Sequence, residues 1–510
     1  MSLHKPQSRT ITPGSDRSAD LRQSAAVHSE ETVTQTLHRL TSFPSDPDWA
    51  DPIDVSADER LVQNLKIVDL ERIPWPYKRY EEDLARRPLP VELPTTTASA
   101  LSVLASSARP APAEWDLAQL ARLLFFSSGV VRKAKWRDGW LLFRASGSAG
   151  GRFPLEVYAA LPEGSALPPG VHWYDPEGHT LFEVGPAPVG AAPAIIVTGV
   201  PWRTGWKYRE RGYRHIYWDA GAMLAQLLAL AASAGLEPRL YSRFPDEAID
   251  SLVGADGVHE FALFLVSLGP GGAALTPSGE AASGAVDSAP VEFPLVTAAQ
   301  RAGCLNTWGE PWPAGERTEA SEVGPTVEEV VRRRSSQRRM DRTRGLRRSL
   351  LTTSMEVAMR GIGIPHWVVV HDVEGMTPGL YRWPDLTTPV RAGALRDELY
   401  HVGADQGLPR DASFVVVSAI RTANLDDRGY REAQLAAGIV EGRLHLAAYA
   451  QGAGASGMTF LDSTIPALLG EPVDGLLLTC VGVPDNTSKP GGMPGSPTIV
   501  RQVTPRVDDA

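Results

Sequence analysis

Two short stretches hold residue types and spacings suited to chemistry. Residues 332–348, RRRSSQRRMDRTRGLRR, carry nine arginines in seventeen positions. Guanidinium forks grip phosphate through paired hydrogen bonds and serine hydroxyls add neutral donors, so Arg334, Ser336 and Arg338 suit a phosphorylated cofactor. Residues 143–158, FRASGSAGGRFPLEVY, place Ser146, Ser148, Ala149 and Gly150 directly before an apolar strand. Small residues there let backbone N–H groups approach a ligand and cradle an anion or a carbonyl-rich ring. Taken locally, the first stretch also reads as a solvated basic helix and the second as a plain glycine-rich loop.

The charge balance narrows the first of these. The 510-residue chain has 50 Lys plus Arg against 60 Asp plus Glu, a net charge of −10, and the arginine run has no interleaved aromatics for base stacking. A nucleic-acid patch is therefore disfavoured. With 43% apolar and 22% charged residues the composition is that of a globular protein of two or three domains. Only Cys304 and Cys480 are present, which excludes a disulfide framework and any cysteine-built zinc or iron–sulfur centre; no metal site is expected. No apolar run approaches a membrane span and the N-terminus has no signal-peptide core, so the chain is expected to be soluble and cytoplasmic.

The elements that must position these stretches come in two copies. Arg211-Gly212-Tyr213-Arg214 and Ala220-Gly221 recur as Arg428-Gly429-Tyr430-Arg431 and Ala437-Gly438, all at an offset of 217, and the apolar helices that follow keep that offset to Gly235 and Gly452. Upstream, Pro154 before LEVYAAL matches Pro365 before HWVVVHDV, and the turn-like GVHWYDP (170–176) echoes GLYRWPD (379–385). AIIVTG (194–199) pairs with SFVVVSA (413–419), and FALFLVSLG (261–269) with LLLTCVGVP (476–484). Each copy predicts few strands at irregular spacing around one buried apolar helix, which is an α+β pattern. The predicted organisation is a disordered tail (1–26), an N-terminal arm (27–95), a first domain (96–270), an interdomain connection (271–326), a second domain (327–486) and a C-terminal tail (487–510).

In combination these features resemble the nitroreductase-like flavoprotein superfamily. SAGGRFPLEVY, GVHWYDP and KYRERGYRHIYWDAGAMLAQLLALAASAGL (207–236) are similar to its SagB-type, azoline-oxidising branch, and RSSQRRM (334–340) resembles the Arg-x-Ser-x-Arg motif of nitroreductases generally. The likeness covers about residues 115–269 well and 327–484 more weakly. It implies FMN bound between two subunits, with the arginine motif from one and the Ser-Ala-Gly segment from the other. Here the first copy lacks the arginine motif and the second, with MRGIGIPHW, lacks the Ser-Ala-Gly segment. Two fused nitroreductase-like domains forming an intramolecular pseudo-dimer then make one composite site, and the reciprocal site is expected to be empty.

The same resemblance implies that backbone N–H groups near Gly457 and Met458 pass the reactive edge of the flavin ring, that Lys489 is a phosphate contact or else a surface lysine, and that Lys207 and Tyr208 match the pair that removes a proton in azoline oxidation. The counterparts of that pair at offset 217 are Asn424 and Leu425. The expected function is an FMN-dependent oxidase or dehydrogenase of an azoline-type ring in a ribosomally made, modified peptide or a related natural-product intermediate. An NAD(P)H-dependent reductase of small nitro or quinone compounds and a flavin-free scaffold subunit of a peptide-modifying complex are the alternatives. The expected partners are the substrate and such a complex, with the chain a monomer or a homodimer.

Overall fold

The computed structural model describes residues 31–44, 71–81, 83–136, 139–272 and 274–503. The tail predicted over 1–26 and residues 45–70 of the arm lie outside them. Two antiparallel sheets dominate. Their central strands are runs of β-branched and aromatic residues, and Leu155–Leu161, Ala194–Gly199 and Phe261–Ser267 bury every residue, which requires cover on both faces. In the first sheet the spatial order is Arg86–Pro88, Thr180–Gly185, Gly170–Asp175, Leu155–Leu161, Ala194–Gly199, Phe261–Ser267, Arg239–Tyr241. In the second it is Arg391–Ala392, Gly379–Arg382, His366–Val370, Phe414–Ile420, Asp474–Gly482, Gly454–Met458. Apart from the extra edge strand of the first, the two orders are the same.

The registers make the correspondence residue by residue. Across the first sheet Tyr158 faces Ile196, which faces Leu265, which faces Tyr241. Across the second Val369 faces Val415, Cys480 and Ser456 in turn. The chain is thus α+β, with two fused domains of one topology that form an intramolecular pseudo-dimer.

Two long helices, Gly212–Ser233 and Asp427–Ala450, hold the halves together. A Cβ on Gly221 would lie 2.5 Å from the backbone of Gly438 and Ile439, and one on Gly438 would lie 2.5 Å from the Trp218 carbonyl. Glycine inside a helix costs about 1 kcal/mol against alanine; here it allows two backbones to touch. The helical stretch Pro201–Ser233 holds an 18-residue window apolar enough to cross a membrane, but 89% of that window is buried inside the protein.

The Arg-Gly-Tyr-Arg repeats clasp the opposite half. Arg211 and Arg214 both bond Asp462, at 2.7 and 2.6 Å, while Arg428 and Arg431 both bond Asp246, at 2.8 and 2.9 Å. Interchanged contacts of this kind are the mark of a two-fold interface. Each clasp also holds a short helix. The arm helix Val33–Leu40 leads to Phe43, whose N–H bonds Asp462 Oδ2 at 2.8 Å; the connection helix Pro294–Ala302 leads to Leu305, whose N–H bonds Asp246 Oδ2 at 2.8 Å. Arg211 donates to the Thr41 carbonyl and Arg428 to the Gly303 carbonyl. His38 meets the Tyr430 hydroxyl, and Gln300 meets that of Tyr213. In these contacts Phe43 and Leu305, Thr41 and Gly303, and His38 and Gln300 each differ by 262 in number, so the connection takes the place in one clasp that the arm takes in the other.

The C-terminal segment is tied to the hairpin and the arginine stretch as far as Val500, whose N–H bonds the Lys133 carbonyl. The Gly491 N–H bonds the Arg332 carbonyl, the Gly492 N–H bonds that of Val131, and Thr498–Ile499 pairs in parallel with the hairpin strand Val130–Trp136.

Candidate active site

The second-half arginine motif follows the helix Val327–Arg333, which begins on a Thr326–Glu329 capping box. It runs along the free edge of the second sheet, where the Gln337 N–H bonds the Ala455 carbonyl at 3.1 Å. The first-half loop Ser146–Gly150 lies opposite. Buried Arg334 spans the gap, donating from Nη1 to the Ala145 carbonyl at 2.7 Å. Gly147 is the point of closest approach: a Cβ there would lie 3.3 Å from Arg334 Nη2 and 3.5 Å from Ser336 Oγ. Arg132, from the first half, donates to the carbonyls of Arg332, Arg334 and Lys489, which fixes the motif's backbone.

Lys207 and Tyr208 lie against the other end of the same loop. A Cβ on Gly150, which has φ +60°, would lie 2.8 Å from Tyr208 Oη and 3.2 Å from Lys207 Nζ. Part of Lys207 reaches solvent, yet burial of its ammonium, then repulsion from Arg338 and Arg152, lowers its pKa. Burial raises the pKa of Tyr208, with Asp219 adding to the rise and Arg338 opposing it. Arg338 therefore acts on both members of the pair. Behind Tyr208, at 4.0 Å between ring centroids, His215 stacks on Trp218 and is buried with both ring nitrogens unpartnered. Burial, then Arg211, Arg214 and Lys207, keep that imidazole neutral.

Sequence-predicted residues from three separate stretches thus meet in one cleft. Some of their groups are also held within the protein. Ser148 donates its hydroxyl to Asp219 Oδ2 at 2.5 Å and accepts from the Phe153 N–H at 2.7 Å, while the Ala149 N–H donates to Asp219 Oδ1 at 2.8 Å. The Ser148 hydroxyl and the Ala149 N–H are therefore committed within the protein, while among the described residues the N–H groups of Gly147 and Ser148 are not. Gly457 lies on the edge strand beside Met458 and packs on Glu441: a Cβ there would lie 3.2 Å from Glu441 Oε1. Burial alone would raise the Glu441 pKa; His445, whose Nε2 lies 2.9 Å away, together with Arg334 and the Gly457 N–H, holds it below the usual value. Lys489 is exposed, and it is its carbonyl that takes part, accepting from Arg132.

The residues fit a flavin mononucleotide. Arg334 Nε is buried and unpartnered, and neither the Gly147 nor the Ser148 N–H has an acceptor among the described residues. Exposed Ser336 and Arg338 present a hydroxyl and a guanidinium to the cleft, as a phosphate requires. Asp219 and Glu441 escaped the sequence reading. The signal available was asymmetry: their counterparts at offset 217 are Ala436 and Leu224.

The place of the reciprocal site is filled by the connection. Leu240 is the counterpart of Ala455 through the strand registers, and its carbonyl is taken by the Trp312 N–H at 2.7 Å. Gly361, the counterpart of Gly150, also has positive φ (+67°) and accepts from Trp312 Nε1 at 2.9 Å. Arg360 donates to the Glu316 carbonyl and the Thr318 N–H bonds the Ala105 carbonyl. The connection therefore runs through the cleft where the first half lost its arginine motif.

No family model matches the chain. A candidate nitroreductase of Methanocaldococcus jannaschii is 25% identical over 168 residues, 30% of this chain and 80% of that protein. The crystal structure of a candidate nitroreductase from Anabaena variabilis superposes with a TM-score of 0.66 at 22% identity, covering 89% of this chain and all of that one. The fold is nitroreductase-like over nearly its whole length.

Proposed function

We propose that the protein is an FMN-dependent oxidoreductase that binds one flavin per chain and oxidises an azoline-type ring, in a ribosomally made peptide or a related intermediate, to the azole. The observation that carries this reading is the convergence of the Gly147–Gly150 loop, the Arg334–Arg338 motif and the Lys207–Tyr208 pair on one cleft, against a reciprocal cleft filled by Trp312–Thr318. Bound FMN supplies a two-electron acceptor for hydride from a ring carbon, with oxygen as the final oxidant.

Aromatisation removes a hydride and a proton, and the proton falls to the chain. Lys207 suits that task because burial, then Arg338 and Arg152, favour its neutral amine, and Tyr208 beside it orients the substrate or relays the proton. Ser336 and Arg338 hold the phosphate or the polar edge of the ring system. Arg334 keeps the two halves of the site in register through the Ala145 carbonyl.

The test is anaerobic single-turnover bleaching of the reconstituted protein. Bleaching by an azoline-containing peptide and not by NAD(P)H supports the proposal; rapid bleaching by NAD(P)H alone replaces it with the reductase reading. Failure to bind FMN leaves the scaffold reading.

A further inference from the structure

The loop that faces the ligand is held from behind by one carboxylate. Asp219 lies in the helix Gly212–Ser233, two positions before the Gly221 crossing, and is 5% exposed. Its two oxygens are divided between adjacent loop residues, Oδ2 accepting from Ser148 Oγ and Oδ1 from the Ala149 N–H. Ser148 Oγ in turn accepts from the Phe153 N–H, so the carboxylate fixes both ends of the turn Ser148–Phe153. Inside that turn Gly150 takes positive φ and Gly151 bonds back to the Ser148 carbonyl. Gly150 within this turn faces Lys207 and Tyr208, and Gly147, the residue just before it, faces Arg334 and Ser336.

We propose that Asp219 is the positioning residue of this site, setting from the interface helix the loop conformation that receives the flavin. The inference rests on the proposed function for the identity of the ligand, but not for the hydrogen bonds that define it. Its logic is asymmetric in the same way as the site. The counterpart of Asp219 is Ala436, and the second half, which lacks the Ser-Ala-Gly segment, has nothing there for a carboxylate to hold. Placing the anchor at the helix crossing also makes loop geometry depend on the packing of the two halves.

The experiment compares Asp219→Ala, Asp219→Asn and Ser148→Ala in the full chain. FMN affinity is read by flavin fluorescence, and hydrogen–deuterium exchange of the peptide covering 146–153 is read without flavin. Asp219→Ala is expected to weaken FMN binding about tenfold or more, as loss of two buried hydrogen bonds would, and to speed exchange in that peptide. Asp219→Asn can accept from the Ala149 N–H and donate to Ser148 Oγ, so it is expected to rescue both readouts, with Ser148→Ala intermediate. Wild-type affinity together with wild-type exchange in Asp219→Ala would overturn the inference. If the wild-type chain binds no FMN, the proposed function falls while the exchange comparison still decides the role of Asp219. If Asp219→Ala does not fold, Ser148→Ala carries the test, and unchanged exchange and affinity there would count against it.

Discussion

Gly221 and Gly438, separated by 217 residues, meet face to face where the two long helices cross. Residues related by the internal repeat contact one another, as identical residues do on the axis of a homodimer. Gly221→Val is therefore expected to drive a side chain into the Gly438–Ile439 backbone. Overpacking of this kind costs about 3 kcal/mol, and because the crossing sets both sides of the cleft, flavin affinity should fall with stability. A variant that unfolds with the wild-type midpoint in urea would show that the crossing tolerates a Cβ.

The arginine clasps make a second stability prediction. Asp462 balances Arg211 and Arg214 and takes the Phe43 N–H, all in a buried setting. Asp462→Ala leaves two guanidinium groups and the arm without their acceptor, and breaking a buried pair from one side costs about 3–5 kcal/mol. Asp246→Ala should cost a similar amount through Arg428, Arg431 and Leu305. Denaturant titrations of both variants measure this; a loss well under 1 kcal/mol in either would count against the clasp.

Much of this was legible in the sequence, because duplication supplies its own control. Offsets near 217 locate the paired helices, and residues present in one copy only mark Arg334, Ser146 and Lys207 as special. What escaped was information held in hydrogen bonds between distant segments. Ser148 belongs to the Ser-Ala-Gly segment that the resemblance assigns to flavin binding; the commitment of its hydroxyl to Asp219 depends on a helix about seventy residues away. The likeness of the arm to the connection escaped because His38 and Gln300, or Phe43 and Leu305, share places and partners but not residue types.

Asp219 also predicts a pH dependence of stability. Burial, opposed by its bonds to Ser148 and Ala149 and reinforced by Glu441, raises its pKa from 3.8 to about 8. An acid whose folded pKa lies above its unfolded value penalises the folded state once ionised. The penalty is absent below about pH 4, grows between pH 4 and 8 by at most about 1.4 kcal/mol per unit, and is constant above. Asp219→Asn removes it. The stability difference between variant and wild type should therefore rise from pH 5 to pH 8 and then level off; a difference flat over that range would contradict the raised pKa.

Lys207→Met and Tyr208→Phe separate chemistry from binding. Neither residue contacts the arginine motif by hydrogen bond, so FMN should bind both variants with near-normal affinity. Loss of a general base lowers turnover by about 10²–10⁴, and the pH profile of the wild type should show a limb rising through the lowered lysine pKa that Lys207→Met lacks. Normal turnover on an azoline peptide by Lys207→Met would remove its assigned role while leaving the flavin site standing.

The closed cleft predicts a stoichiometry. Gly361 lies with φ +67° against the connection, and a Cβ there would approach the Pro313 carbonyl to 2.1 Å. Gly361→Val should therefore displace the segment around Trp312 and increase trypsin cleavage after Arg317. It should not create a second flavin site: the counterparts of Lys207 and Tyr208 are Asn424 and Leu425, no arginine motif follows the helix Ala100–Leu104, and the displaced segment offers Glu310 and Glu316 where a phosphate would need cations. Flavin released by heat from both wild type and variant should amount to about one equivalent per chain, as the single composite site requires. Two equivalents from Gly361→Val would mean that the connection is a displaceable occupant of a working site; two from the wild type would mean that the cleft opens in solution.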